Sequence, residues 1–255
     1  MSEQPQNKKI GWRAGLIISC VAFVLCIAVI GAHLLIGRPS RGDIVSSAPN
    51  VDSSENLPDN PIDFATLQST NPDTAAWIKI PGTIIDYPVM HSGKNGDGTD
   101  FYLNHNSDKK PHRAGAIYMQ QINSADFSDP NTVLYGHNMG NGSMFSWLHQ
   151  YKKKAFFDEN HTILVYTPGH ILTYEIYSAF YYDDRHILNS FDFSNEEYYG
   201  AFLRQTLNPT SMVKQVREGI SVTTNARIIT LSTCTGSDTQ RLLVIGVLTD
   251  DQPTK

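Results

Sequence analysis

Residues 228–248, IITLSTCTGSDTQRLLVIGVL, decide how this chain is read. Two apolar runs flank a small polar loop, so the stretch predicts two strands joined by a turn. The first run stops at Cys234, and Arg241 opens the second. The second run, RLLVIGVL, is apolar almost throughout, as expected of a buried strand. Cys234 therefore stands at a strand end beside a polar loop, at a rim rather than in mid-core. If the two strands lie side by side, Arg241 stands near the thiol at the same edge.

A free cysteine often does no more than pack. A zinc site needs three or four ligands at characteristic spacings, and neither C-x-x-C nor H-E-x-x-H occurs. No cofactor is indicated. A nucleophilic role needs more than a thiol. The thiolate is the reactive form and a nearby cation stabilises it. A permanently charged arginine such as Arg241 can also hold an oxyanion. A proton donor must reach the leaving group, and histidine is the usual choice. The chain has nine histidines. His33 falls in an apolar N-terminal run. His91, His105, His112, His149, His161, His170 and His186 lie in polar loops or helix-like segments, where solvated surface histidine is the default. His137 differs, because it ends the apolar strand of TVLYGHNMGNGS and a turn follows.

Composition narrows the class. The 255 residues are 40% apolar and 18% charged, with a formal charge of −5. A sizeable core is affordable by size, and nucleic acid is not an expected partner. Residues 14–37, AGLIISCVAFVLCIAVIGAHLLIG, hold no Asp, Glu, Lys or Arg. About 20 such residues cross a bilayer core. Lys8, Lys9 and Arg13 precede the run, which favours the N-terminus inside and the rest outside. A cleaved signal peptide would have a shorter apolar core. Ile17-Ile18-Ser19-Cys20 faintly resembles a lipoprotein cleavage box, but the run continues far beyond it. The expected organisation is a cytoplasmic tail over 1–13, a single transmembrane anchor over 14–37, a flexible Ser/Pro/Asn/Asp-rich stalk over 38–60 and an extracellular domain over 61–255. Cys20 and Cys26 fall in the span, so Cys234 is the one cysteine of the exported part. A leftover thiol there is a reactive group or an intermolecular link.

Within the domain, PIDFATLQST predicts a short helix capped by Asp63 and stopped at Asn71-Pro72. AAWIKIPGTIIDYPVM predicts two strands around Pro81-Gly82, and GAIYMQ and NTVLYGHNMG predict two more. TILVYTPG and ILTYEIYSAFYYDD predict a strand pair around Pro168-Gly169. FSNEEYYGAFLRQTL is the clearest helix: Ser194 and Glu197 form an S-x-x-E capping box, and Tyr198, Phe202 and Leu203 recur at helical spacing. Many short strands with few helices argue for a mainly β sandwich or barrel.

TLSTC with Arg241 downstream, and YGHNM about a hundred residues upstream, resembles a sortase; the order His, Cys, Arg is the family's. GHNM, the helix before the first strand, the FYLNHN segment and the capped late helix resemble class B in particular. The resemblance runs from about residue 62 to 250. It implies an eight-stranded β-barrel with peripheral helices, preceded by the transmembrane helix. It also implies that Cys234 attacks the Thr carbonyl of a C-terminal sorting motif on a secreted protein, forming a thioacyl-enzyme. An amine of the cell wall, on a peptidoglycan precursor, or of a pilin then resolves it. By the same resemblance Leu103, Tyr135, Ser232 and Thr235 line the substrate groove, beside Cys234, His137 and Arg241. Some relatives carry an acidic residue directly after the cysteine, where this chain has Thr235.

Two other readings compete. A wall L,D-transpeptidase also uses Cys, His and Arg, but its motif resembles S-x-G-C-x-R, with a shorter Cys–Arg gap than here. A membrane-anchored β-barrel binding module would merely bury Cys234 and ignore a thiol-directed alkylating agent.

Overall fold

The computed structural model describes residues 57–255. The expected tail, anchor and nearly all of the stalk lie outside the described residues. Among the described residues, no helix is long and apolar enough to cross a membrane. Residues at the stalk's expected end are already tied to the domain. Asn60 donates to the Thr167 carbonyl at 2.9 Å, and the Lys255 amide donates to the Pro58 carbonyl at 3.0 Å.

Nine strands form one sheet: β1 (Thr74–Lys79), β2 (Asp86–Ser92), β3 (Ile117–Gln120), β4 (Asn131–Tyr135), β5 (Thr162–Thr167), β6 (His170–Asp183), β7 (Lys214–Val216), β8 (Ile228–Cys234) and β9 (Gln240–Pro253). Their spatial order is β5-β1-β2-β3-β4-β8-β9-β6-β7, and β5 also pairs with β6. Eight strands thus close into a mainly β barrel, which removes the exposed edges an open sheet would present. The ninth, β7, was not foreseen from its sequence. It takes over the β6 edge at Ser178–Phe180, beyond the stretch that β5 occupies.

Two pairings, β2–β3 and β4–β8, are parallel, and each needs a crossover. Residues 93–116 join β2 to β3 and carry a 3-10 turn, Phe101–Leu103. The β4-to-β8 crossover carries β5 to β7, a 3-10 segment Phe145–Lys152, a helix Lys154–Glu159 and two more helices, Ile187–Ser190 and Glu196–Leu207.

Side-chain alternation splits the core in two. Ile229 and Leu231 of β8 and Leu242 and Val244 of β9 join Ile78, Val89, Ile117, Leu134 and Val165 inside the barrel. Ile228 of β8 and Leu243 and Ile245 of β9 point outward, onto Tyr199, Phe202 and Leu203 of the helix Glu196–Leu207. Both faces of β9 are covered, which explains its nearly unbroken apolar run.

Asp63 caps the first helix as expected, accepting from the Thr66 amide at 3.0 Å. The late helix corrects its own reading. Asn195, not Ser194, accepts from the Glu197 and Tyr198 amides, and the Ser194 hydroxyl donates to Asp192 instead. Phe202 and Leu203 are buried as expected, but the third member of their face is Tyr199, three and four residues before them, and Tyr198 is left 54% exposed.

Candidate functional site

The ladder between β8 and β9 pairs Cys234 directly with Arg241. Directly paired residues of an antiparallel ladder have Cβ atoms about 4.5–5.5 Å apart, on the same face. Period-two alternation places Ser232 and Leu243 on that face too, the outer one. The thiol is half-buried. The Arg241 guanidinium donates through Nη1 to the Gln240 carbonyl at 3.0 Å and the Asp238 carbonyl at 3.3 Å, which holds it over the β8–β9 loop.

His137 arrives by another route. The parallel β4–β8 register pairs Tyr135 with Ser232, so two residues further on His137 comes level with Cys234. The turn between them is fastened to β8. The Gly136 amide donates to the Ser232 carbonyl at 3.2 Å, and the Thr233 hydroxyl donates to the Gly136 carbonyl at 2.8 Å. A Cβ at Gly136 would lie 2.5 Å from Ile117 Cδ1 and 2.7 Å from Phe145, so the turn can sit this deep only without a side chain. The His137 ring is steered by the Leu103 carbonyl, 2.8 Å from Nε2. A carbonyl only accepts, so Nε2 carries a hydrogen and Nδ1 is left for proton exchange.

These groups open onto one cavity of about 340 Å³, lined by Cys234, His137, Arg241, Leu103, Tyr135 and Ser232 among others. Thr235 does not line it. Its hydroxyl instead lies 3.4 Å from the Gln240 carbonyl, across the β8–β9 loop. One wall comes from Tyr182 at the end of β6 and from His186 and Ile187 just beyond it. The opposite wall is a polar chain. The Tyr118 hydroxyl and the Gln120 amide donate to Asp100 at 3.0 and 2.8 Å, and Gln120 Oε1 meets His186 Nε2 at 2.6 Å. Tyr118 and Tyr135 stack at 5.5 Å. Burial, reinforced by Asp100, raises both phenols above their ordinary pKa, so both keep their protons. The Tyr135 and Tyr182 hydroxyls are buried and have no partner among the described residues.

Several contributors were not legible in the sequence. His149, read as a surface histidine, reaches from the Phe145–Lys152 segment to the Cys234 carbonyl, with Nε2 at 3.0 Å. Burial lowers its pKa, so the neutral ring that donates to this carbonyl is favoured. His186 likewise stands in the cavity wall rather than on open surface. Gly115, at φ 57°, lies so close to the Leu103 segment that a Cβ would fall 2.5 Å from the Leu103 and Tyr102 carbonyl oxygens.

Comparison with known proteins adds the family. Residues 78–249 match the sortase domain model. Sortase B of Staphylococcus aureus is 31% identical over 185 residues, which are 71% of this chain and 72% of that protein. Sortase B of Listeria monocytogenes is 37% identical over 174 residues, 66% of this chain and 65% of the other. Among solved structures, Clostridium perfringens sortase B aligns with a TM-score of 0.65 at 34% identity, covering 74% of this chain and 100% of the other. A Staphylococcus aureus sortase B–substrate complex aligns with a TM-score of 0.64 at 30% identity, covering 73% of this chain and 84% of the other. With the eight-stranded barrel and TLSTC at the end of β8, these matches show that the chain belongs to the sortase family of cysteine transpeptidases, and within it resembles class B.

Proposed function

We propose that this sortase cleaves a C-terminal sorting motif of secreted proteins after Thr, with Cys234 as nucleophile, His137 as proton carrier and Arg241 as oxyanion holder. The observation that carries the reading is the in-register pairing of Cys234 with Arg241, with His137 level beside them in one cavity. The Cys234 thiolate attacks the Thr carbonyl carbon and a C–S bond forms. The negative charge moves to the carbonyl oxygen, where a permanent guanidinium can hold it. On collapse the C–N bond breaks, and the leaving amine takes a proton from the His137 imidazolium. In the second half an amine of the cell wall or a pilin attacks the thioester. His137 takes its proton, the thiolate departs and a new amide bond forms.

The unpartnered hydroxyls of Tyr135 and Tyr182 suit the backbone carbonyls of an extended peptide. Leu103, 43% exposed at the cavity mouth, suits an apolar side chain of the motif, and Ser232 lies on the floor beneath. Residues 14–37 anchor the chain in the cell membrane in a single pass, with the catalytic domain outside, which places the thiol where exported substrates pass.

The test is mass spectrometry of the full chain with sorting-motif peptides. Wild type should trap an acyl adduct on Cys234, and Cys234→Ala should lose turnover by on the order of 10⁴-fold or more while staying folded. Substantial turnover by the alanine variant would refute the assignment. Release of the domain from intact cells by added protease, with cuts within residues 38–60, checks the anchor.

A further inference from the structure

The cavity at Cys234 does not end at its polar wall. Asp100, Gln120 and His186 also line a second depression, which continues to Ile122 and Asn189. Those two residues in turn line a third, walled by Asp129, Asn131, Asp192 and Tyr198. The three depressions run as one groove across the outer face of the barrel. It passes from β9 over β8, β4 and β3 to the β3–β4 turn, beneath the chain that follows β6.

The groove has a chemical character of its own. Five large apolar side chains are exposed among the described residues, and three of them, Leu103, Ile122 and Tyr198, stand along it. Asn131 is 1% exposed, and its Nδ2 has no partner among the described residues. Three carboxylates, Asp100, Asp129 and Asp192, line the second and third depressions, whereas Asp183, Asp184 and Arg185 belong to the first. Among the described residues none of the three has a lysine or arginine within ion-pair distance, whereas Asp73, Asp86, Asp97, Asp158, Asp183 and Asp251 all do.

The reaction itself indicates which half of a substrate this groove holds. The acyl half stays on the enzyme through both steps. The leaving half must depart and make room for the incoming amine, so it belongs on the open side of His137. The covered side, running away from the thiol, falls to the acyl half. From β8 to β3 is two strand spacings, roughly 10 Å, or about three residues of extended chain. The fourth residue before the scissile bond and those preceding it therefore lie in the second and third depressions.

We infer that the groove beyond Asp100 binds the stretch of the secreted substrate immediately upstream of its sorting motif, and selects cationic and apolar side chains there. This rests on the transpeptidase reading proposed above, deepening it from a short motif to a longer recognition element.

The experiment uses the full chain in detergent micelles and quenched fluorescent dodecapeptides with one fixed Thr, every position before and after it being randomised. Sequencing of the cleaved products should show Lys, Arg and aromatic residues enriched in the positions before the motif. Two peptides carrying the selected motif, one preceded by two lysines and one by two glutamates, then isolate the charge effect. The wild-type enzyme should favour the lysine peptide by about fivefold in kcat/KM, the scale of one or two exposed ion pairs. The ratio should approach one in the Asp129→Asn, Asp192→Asn double variant. It should also approach one for wild type in about 0.5 M NaCl, which screens exposed charges and needs no folded variant. Cleavage with a flat upstream profile, or a lysine preference untouched by both salt and substitution, overturns the inference alone. No cleavage of any library member overturns the transpeptidase reading and this inference with it.

Discussion

The strands that carry Cys234 and Arg241 and the loop that carries His137 reach the same cavity by different means. Cys234 and Arg241 are direct partners in a seven-rung ladder between β8 and β9, and the strands beneath them are packed on both faces. His137 lies beyond the end of β4. It is held by Gly136, by the Thr233 hydroxyl and by the Leu103 carbonyl, and the Leu103 segment is itself pressed against Gly115. A ladder shares an error over many hydrogen bonds, whereas a short relay of loop contacts passes each displacement on. Substitutions on the two sides should therefore differ in what they cost.

The largest effect expected from separating them is at Arg241. Arg241→Ala should lower kcat by on the order of 10²–10³, the loss of one oxyanion donor, with little change in ground-state peptide affinity. Arg241→Lys keeps the charge but not the planar fork, and should lose most of the activity as well. The ladder itself should be undisturbed, so the melting temperature should hardly move. An Arg241→Ala enzyme with a normal kcat would remove Arg241 from the reaction.

A smaller loss is expected on the loop side, from a residue that never meets substrate. Gly115→Ala places a Cβ 2.5 Å from the Leu103 carbonyl at a backbone φ of 57°. The Leu103 carbonyl must shift, and His137 with it. Misplacing a catalytic group by about 1 Å costs up to about 10²-fold, so kcat should fall roughly 10- to 100-fold. The strained backbone should cost about 1–3 kcal/mol in stability. A lowered melting temperature with kcat intact would show that Leu103 does not govern His137.

The smallest effect sharpens the ladder side. His149 donates to the Cys234 carbonyl, and burial holds its pKa below the ordinary 6.5. The unfolded chain therefore binds the proton more readily than the folded one. The stability His149 contributes is present above pH 6.5 and is lost as pH falls from there through the folded value. His149→Gln keeps a donor and removes the titration. Its melting temperature should decline less steeply than wild type between about pH 7 and pH 5. Parallel curves for the two proteins would show that His149 does not titrate in this way.

The local elements were largely legible. Asp63, the Pro-Gly turns and the apolar runs marked the first helix and eight of the nine strands, because each signal lies within a few residues of what it specifies. The errors have local causes too. In Ser194-Asn195 two good caps are adjacent, and the hydrogen bonds choose Asn195; separately, Tyr199 shares the buried face of Phe202 and Leu203 because it lies three and four residues before them, as Tyr198 does not. Strand β7 has only three residues, too few to show a period, and exists because the β6 edge is there to receive it.

What the sequence determined by itself was the β8–β9 unit: two strands, a short polar loop, and a thiol facing an arginine across it. An antiparallel pair joined by a short turn has its register set by the turn, so the pairing can be read along the chain. Only the tertiary structure decided the rest. His137 meets Cys234 because β4 and β8 run parallel, and a parallel pair is joined by a crossover whose length says nothing about register. The tertiary structure also leaves Thr235 off the cavity wall, brings His149 to the Cys234 carbonyl and aligns Asp100, Ile122 and Asp192 along one groove. Those residues come from five separate connections between strands, and nothing in the spacing between connections encodes which of them will meet.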